Sequence, residues 1–201
     1  SDVYKRQIDI TGEVTSAFRN QPWLNIHDIE LVKNAGGFND NAIYHLEQAG
    51  IMSADGTRDL AEEHYQAALS ARLPLSGKLA ITELRARNLM AAGKTEKAAG
   101  MLRDAVSQAH PKEGPAPLGA KALASLHHTL AKAETTLAEV TNNDQERRER
   151  LASAVSHETK AVALNPQEGD SYAVLGIALA GLGRYDDARR ECAIAIRMQP
   201  N

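Results

Sequence analysis

Four prolines, Pro74, Pro111, Pro166 and Pro200, each follow an Ala- and Leu-rich run and stand at a polar break. Proline lacks the backbone donor that a helix needs and clashes with the preceding turn, so each marks a helix end. The gaps between them are 37, 55 and 34 residues, and a period near 34 fits a unit of two antiparallel helices. One such unit cannot bury its apolar face alone, so the chain reads first as a stack of helical hairpins. With 43% hydrophobic and only 4% aromatic residues, the chain has enough apolar mass to fold. Its Ala and Leu content suits close helix packing, whereas sheets want β-branched and aromatic side chains.

The last unit is the clearest. Tyr172, Leu175, Gly176 and Leu179 fall on one face of a first helix. Gly183-Arg184-Tyr185 makes the turn, and Ala188, Cys192 and Ala195 share a face of a second helix that closes at Pro200-Asn201. This resembles the tetratricopeptide repeat (TPR) pattern of aromatic, Leu-Gly, aromatic, then Ala, aromatic, Ala and Pro, with every spacing kept. Leu179 and Cys192 depart from it, standing where aromatics are usual. Gly176, Ala188 and Ala195 are expected to let the helices approach closely, with Tyr172, Leu175 and Tyr185 filling the gaps.

Two weaker units precede it. Gly93 and Ala98 repeat the interval of Gly183 and Ala188, and Leu102 and Ala105 continue that face to Pro111, giving a repeat over roughly 79–111. Gly56, Ala61, Tyr65 and Ala68 keep the same geometry up to Pro74, giving another over roughly 42–74, with Tyr44 and Leu46 in its first helix. Gly37 and Ala42 show the interval too, so the helix around 42–50 reads either as closing an earlier unit or as opening this one.

The stretch from Pro117 to Pro166 is too long for one ordinary unit. Leu123, Leu126, Leu130, Ala133, Leu137 and Val140 alternate steps of three and four, beside a stripe of Ala124, Ala131 and Ala138. This predicts one long helix to about Thr141, a turn at Asn142-Asn143-Asp144 capped by Asp144, and a second long helix to Leu164. Leu151, Ala154, Val155, Ala161 and Val162 would pack back on the first. The expected fold is all-α: helix-turn-helix repeats stacked as a right-handed α-solenoid with one overlong hairpin. By region it runs as an extended hairpin over 118–166 and a repeat over 167–201, after two repeats in 42–111 and a Pro- and Gly-containing linker at 112–117. Residues 8–41, with Pro22 starting a helix for 23–35 and Gly36-Gly37 ending it, are expected to be a degenerate repeat or the end of an upstream domain. Asp2 to Gln7 resembles the translated transposon mosaic end of sequencing adapters, GAT GTG TAT AAG AGA CAG. Residues 1–7 are therefore expected to be a scar and the chain a metagenomic fragment of a longer array.

The net charge of -3 and the absence of a basic stripe argue against nucleic acid. The longest uncharged stretch, Ser171 to Gly183, falls short of the roughly 20 apolar residues that span a bilayer. A lone Cys192 excludes a disulfide framework within one chain, and both cytoplasm and periplasm of a prokaryote fit.

The chemistry-bearing candidates are all weak. Leu182 follows Gly181 where a phosphate loop needs Lys. His157-Glu158 begins like a zinc-protease helix, but Ala161 replaces the second histidine. His127 and His128 diverge by about 100° on a helix and read as solvated surface histidines. Asp55-Gly56 lacks the carboxylates of a calcium loop and reads as a turn. Cys192 reads as a buried inert thiol, and Glu146 to Arg150 as a solvated face paired at four-residue spacing. No catalytic residue, cofactor or metal is expected.

The resemblance implies an interaction scaffold that holds a peptide or partner helix in a concave groove. The exposed first-helix positions Glu83, Arg87, Ala91, Ala173, Ile177 and Ala180 are the groove candidates. They lack the spaced Lys and Asn pattern by which some TPR proteins clamp a C-terminal carboxylate. A protein or peptide is the expected partner, with homo-oligomerisation open. The alternative is a C-terminal regulatory or oligomerisation tail of an enzyme whose catalytic domain lies upstream.

Overall fold

A computed structural model describes residues 40–110 and 117–198. Residues 1–7, expected to be a scar, the region 8–39 with the helix expected after Pro22, Pro111, most of the linker and Pro200 lie outside the described residues. Those described form eight α-helices and no strand: α1 (Asp40–Ala54), α2 (Arg58–Ser70), α3 (Leu75–Ala91), α4 (Thr95–Ala109), α5 (Ala120–Val140), α6 (Asp144–Leu164), α7 (Gly169–Gly181) and α8 (Tyr185–Met198).

Each helix packs on the next, and α3 also touches α5 and α5 touches α7. Consecutive contact makes antiparallel hairpins α1–α2, α3–α4, α5–α6 and α7–α8. The i to i+2 contact brings the first helices of successive hairpins together along one side, which is how a helical solenoid is built.

Three of the four hairpins turn on a glycine in the left-handed region: Gly56 at φ 80°, Gly93 at 75° and Gly183 at 78°. At the latter two, backbone closure is the same: Gly93 N donates to Met90 O and Lys94 N to Leu89 O, while Gly183 N donates to Ala180 O and Arg184 N to Leu179 O. This paired closure satisfies carbonyls that a helix end leaves open. The α5–α6 turn has no glycine. There Asn143, and not Asp144, is the cap: its side chain accepts from the backbone N–H groups of Gln145 and Glu146.

The largest core cluster joins α3, α4 and α5 through Leu79, Leu89, Leu102, Leu126 and Leu130. A second lies in α1–α2 around Ala49, Ala61, Tyr65 and Ala68, with Ile81 of α3 closing it. Ala131 and Ala138 of α5 meet Leu151 and Ala154 of α6 and Ala178 of α7. Leu175, Leu179 and Ala188 hold α7 to α8, with Val155 and Val162 of α6 alongside. Gly176 allows a closer approach than a side chain would: a Cβ there would lie 2.4 Å from Cys192 Sγ and 3.3 Å from the Ala188 carbonyl oxygen.

Cys192, expected to be a buried thiol, is only half-buried, and two further apolar expectations are corrected. Tyr185 fills no gap and is 65% exposed, because it opens α8 on the solvent side. Val140, the last residue of α5, is exposed, although the rest of its heptad is buried.

Candidate functional site

The first helices α3 and α5, with the α6–α7 turn and the start of α7, enclose a groove of about 720 Å³. Glu83, Arg87 and Ala91 line it from α3; Lys121, Ser125, His128, Thr129 and Lys132 from α5; and Asp170 and Ser171 from α7. Steps of three and four along α5 put its contributors on one face.

The expectation that Glu83 is exposed is wrong: it is 8% exposed, forming the wall between α3 and α5. Its Oε1 accepts from Arg87 Nη2 at 2.5 Å, Ser125 Oγ at 2.7 Å and Thr129 Oγ1 at 2.9 Å. Three donors on one oxygen supply what a buried carboxylate needs in place of water. Arg87 stays partly exposed at the groove and also donates to Ser125 Oγ at 2.9 Å. Ala173, Ile177 and Ala180 are not among the lining residues. Ile177 is exposed, whereas Ala180 packs beside the α7–α8 cluster.

Beneath the groove runs a polar belt that reading the histidines as surface groups missed. His127 is 0% exposed and His128 is largely buried. Side by side on α5, they meet side-by-side residues on α6: His127 Nδ1 lies 2.9 Å from His157 Nδ1, and His128 Nδ1 lies 2.7 Å from Glu158 Oε1. The belt ends on His110 of the α4 terminus at one side and on Ser171 of α7 at the other. Glu158 is fully buried and its Oε2 has no hydrogen-bond partner. Burial raises its carboxyl above the ordinary range, opposed by the His128 contact.

Serine, histidine and glutamate in contact suggest a nucleophilic relay, yet the geometry forbids one. Ser171 Oγ, at 3.3 Å, and Glu158 Oε1 both approach the same nitrogen, Nδ1. A relay requires them on opposite ring nitrogens. Among the described residues no group of three or more His, Cys, Asp or Glu side chains could hold a metal ion, and no helix is long and apolar enough to cross a membrane.

The charge run at Glu146–Arg150 is not simply a solvated face. Arg150 does pair with Glu146 at 2.8 Å, but it also reaches Glu96 of α4 at 3.0 Å and the buried Glu134 of α5 at 3.3 Å. Arg103 of α4 supplies Glu134 at 2.9 Å. The arginines thus stitch α4, α5 and α6 together.

A stack of hairpins with first helices lining one side and Gly-closed turns defines an all-α solenoid of the tetratricopeptide type. A structure of MamA of AMB-1 shares the fold at 17% identity, with a TM-score of 0.54 over 80% of this chain and 74% of that one. A MamA mutant matches at 16% identity, with a TM-score of 0.55 over 81% and 75%. YrrB, described as a TPR protein, aligns over 87% of this chain and 93% of that one at 16% identity, but its TM-score of 0.33 supports no inference. No protein-family description matches the chain. No curated protein matches it either.

Proposed function

We propose that the chain is a protein-interaction scaffold and not a catalyst, and that its groove between α3, α5 and the start of α7 holds an extended peptide or a partner helix. The observation that carries this reading is the groove itself, a continuous concavity of about 720 Å³ lined by first helices. Its walls mix apolar contacts, at Leu79, Ala91 and Ala122, with cationic heads at Arg87, Lys121 and Lys132 and carboxylates at Glu83, Glu168 and Asp170. Such a mixture suits a peptide that alternates apolar and charged side chains, with an acidic group placed at Lys121 and Lys132. Asp170, Ala173 and Ile177 follow steps of three and four, so the proposed surface continues along α7 beyond the enclosed part, as far as Ala180, which packs beside the α7–α8 cluster. Few aromatic anchors are present, and those dominate tight interfaces. Affinity in the micromolar range or weaker follows, about -8 kcal/mol at best.

The test is peptide selection on the purified chain, followed by titration of the selected peptides into Lys132→Glu and Ile177→Asp variants. Binding should weaken tenfold or more in Lys132→Glu and by a smaller factor in Ile177→Asp. Peptides that bind both variants as tightly as the parent would place the partner elsewhere.

A further inference from the structure

The groove does not use His127, which lies buried on the side of α5 turned to α4 and α6. Both its ring nitrogens are engaged: Nε2 lies 3.0 Å from His110 Nε2 and Nδ1 lies 2.9 Å from His157 Nδ1. His127 meets its partners across opposite edges of its ring, so the nitrogens do not converge on one point and the cluster is no chelate. It is a hydrogen-bonded chain. A neutral imidazole has one donor and one acceptor nitrogen, so three neutral rings close the chain with both His127 nitrogens satisfied. A proton on His127 still finds two acceptors, but it places charge in a fully buried site. A further proton on His110 or His157 turns a facing nitrogen pair into two donors.

Among the described residues nothing nearby compensates such a charge. Arg103 and His110 from α4 and Lys160 from α6 all act to keep positive charge off the His127–His157 pair. The acids of the packed helices are committed elsewhere: Glu134 of α5 to Arg103 and Arg150, Glu158 of α6 to His128, Glu83 of α3 to Arg87, and Glu96 of α4 to Arg150. Asp104 of α4 is exposed, and Asp170 of α7 lies at the groove.

We propose that His110, His127 and His157 form an acid-operated latch: while neutral they tie the end of α4 to the α5–α6 hairpin, and mild acid releases it. The end of α4 carries Val106 and Ala109, which share a core with Leu118, Ala122 and Leu126. Release therefore opens that core at its margin. Burial, then the charges of His157 and His110, hold His127 at about 4 against an ordinary 6.5. The unfastened state thus takes the proton first, and opening gains with each step into acid below 6.5. The latch works whatever the groove binds.

Hydrogen exchange of the whole chain, labelled at pH 7.5 and 5.0 and corrected for intrinsic rates, tests it. Given values of 6.5 open and about 4 closed, amides of 102–109 should exchange about 30-fold faster at the lower pH. Amides of α8 should not follow. His127→Leu and His127→Gln, neither of which titrates, should cut that acceleration to about threefold or less. If the Leu variant does not fold, the Gln variant decides. If neither folds, an NMR titration of the parent decides, since a folded His127 ring titrating near 6.5 overturns the latch. So does a parent whose α4 protection ignores pH, or a variant that loses it as the parent does.

Discussion

The α5–α6 and α7–α8 hairpins hold their helices together by different means. In α7–α8, Gly176 brings the backbones so close that Cys192 and the Ala188 carbonyl fill the space a Cβ would need. No Asp, Glu, His, Lys or Arg side chain of α7 or α8 is buried. In α5–α6 the helices are 21 residues each, and the gap between them takes full side chains, including His127, His128, His157 and Glu158. A small residue at the crossing leaves room only for van der Waals contact, whereas a wider gap admits polar groups that must then be matched exhaustively. The seam of one hairpin therefore varies little with pH apart from Asp187 of α8, which Arg184 and Arg190 hold below the usual carboxylate range, whereas the seam of the other is governed by pH.

The sharpest test of that difference removes one member of a matched pair. His128→Leu leaves the fully buried Glu158 without its partner and should cost about 3–5 kcal/mol at neutral pH. The double variant His128→Leu, Glu158→Leu should lie within about 1.5 kcal/mol of the parent, because an apolar pair of similar volume needs no match. Urea melts distinguish the two. If the double variant is as unstable as the single, the pair is packing and not electrostatics.

Titration comes next in size. His127 sits at about 4 when folded and 6.5 when unfolded, so the unfolded chain binds the proton first. Its contribution is fully present above pH 6.5 and is lost as pH falls toward 4, a change of about 3 kcal/mol. Glu158 has the opposite sign. Its raised value means that the folded state binds the proton first, so stability is greatest in acid and is lost as pH rises through the folded value. In His127→Leu the descent below 6.5 should become shallower, leaving the parts of His157 and His45, which burial also holds below the ordinary value, against the opposite slope of Glu158. Thermal melts from pH 7.5 to 4.5 give the comparison, and an unchanged acid limb would assign it to another group.

The α7–α8 hairpin should respond to volume instead. Gly176→Leu forces a side chain against Cys192 Sγ and the Ala188 carbonyl and should destabilise by about 1–3 kcal/mol. That loss should be the same at pH 7.5 and 5.0. A loss that varies with pH would mean that the two hairpins are coupled through α6.

These particulars show what was legible beforehand. The all-α repeat fold was, because Gly93 with Ala98 and Gly183 with Ala188 carry the same turn-to-helix interval, and the heptad through Leu126 and Leu130 fixes a long buried helix. The belt was misread because its partners come from other helices, 17 residues away for His110 and 30 for His157, with no local spacing to announce them. A signal did exist. His127 stands four residues after Leu123 and three before Leu130, and Glu158 four after Ala154 and three before Ala161, so both lie inside apolar stripes. A polar residue in such a stripe is buried and needs a match. The α5 contributors to the groove, Lys121, Ser125 and Lys132, were missed for another reason. They lie on a second, polar face of α5 that carries none of the apolar spacing marking the hairpin seam.

The smallest effect concerns how the wide hairpin turns without glycine. Asn143 precedes α6, and its side-chain oxygen accepts from Gln145 N at 2.9 Å and Glu146 N at 3.1 Å, satisfying two donors that the first turn leaves open. Asp144 was the expected cap, but it lies one residue further on, inside the helix, where its exposed carboxylate pairs with Arg147 at 2.5 Å. The two roles differ in worth. A lost cap costs about 1 kcal/mol, while an exposed ion pair three residues apart contributes about 0.3–0.5 kcal/mol. Asn143→Ala should therefore destabilise about twice as much as Asp144→Ala, and Asn143→Asp, which keeps the acceptor oxygen, should lie close to the parent. Urea midpoints at one pH and salt concentration settle the order, and a larger loss in Asp144→Ala would return the cap to Asp144. Added salt should erase the Asp144 effect first, because screening weakens an exposed pair and leaves a neutral amide cap untouched.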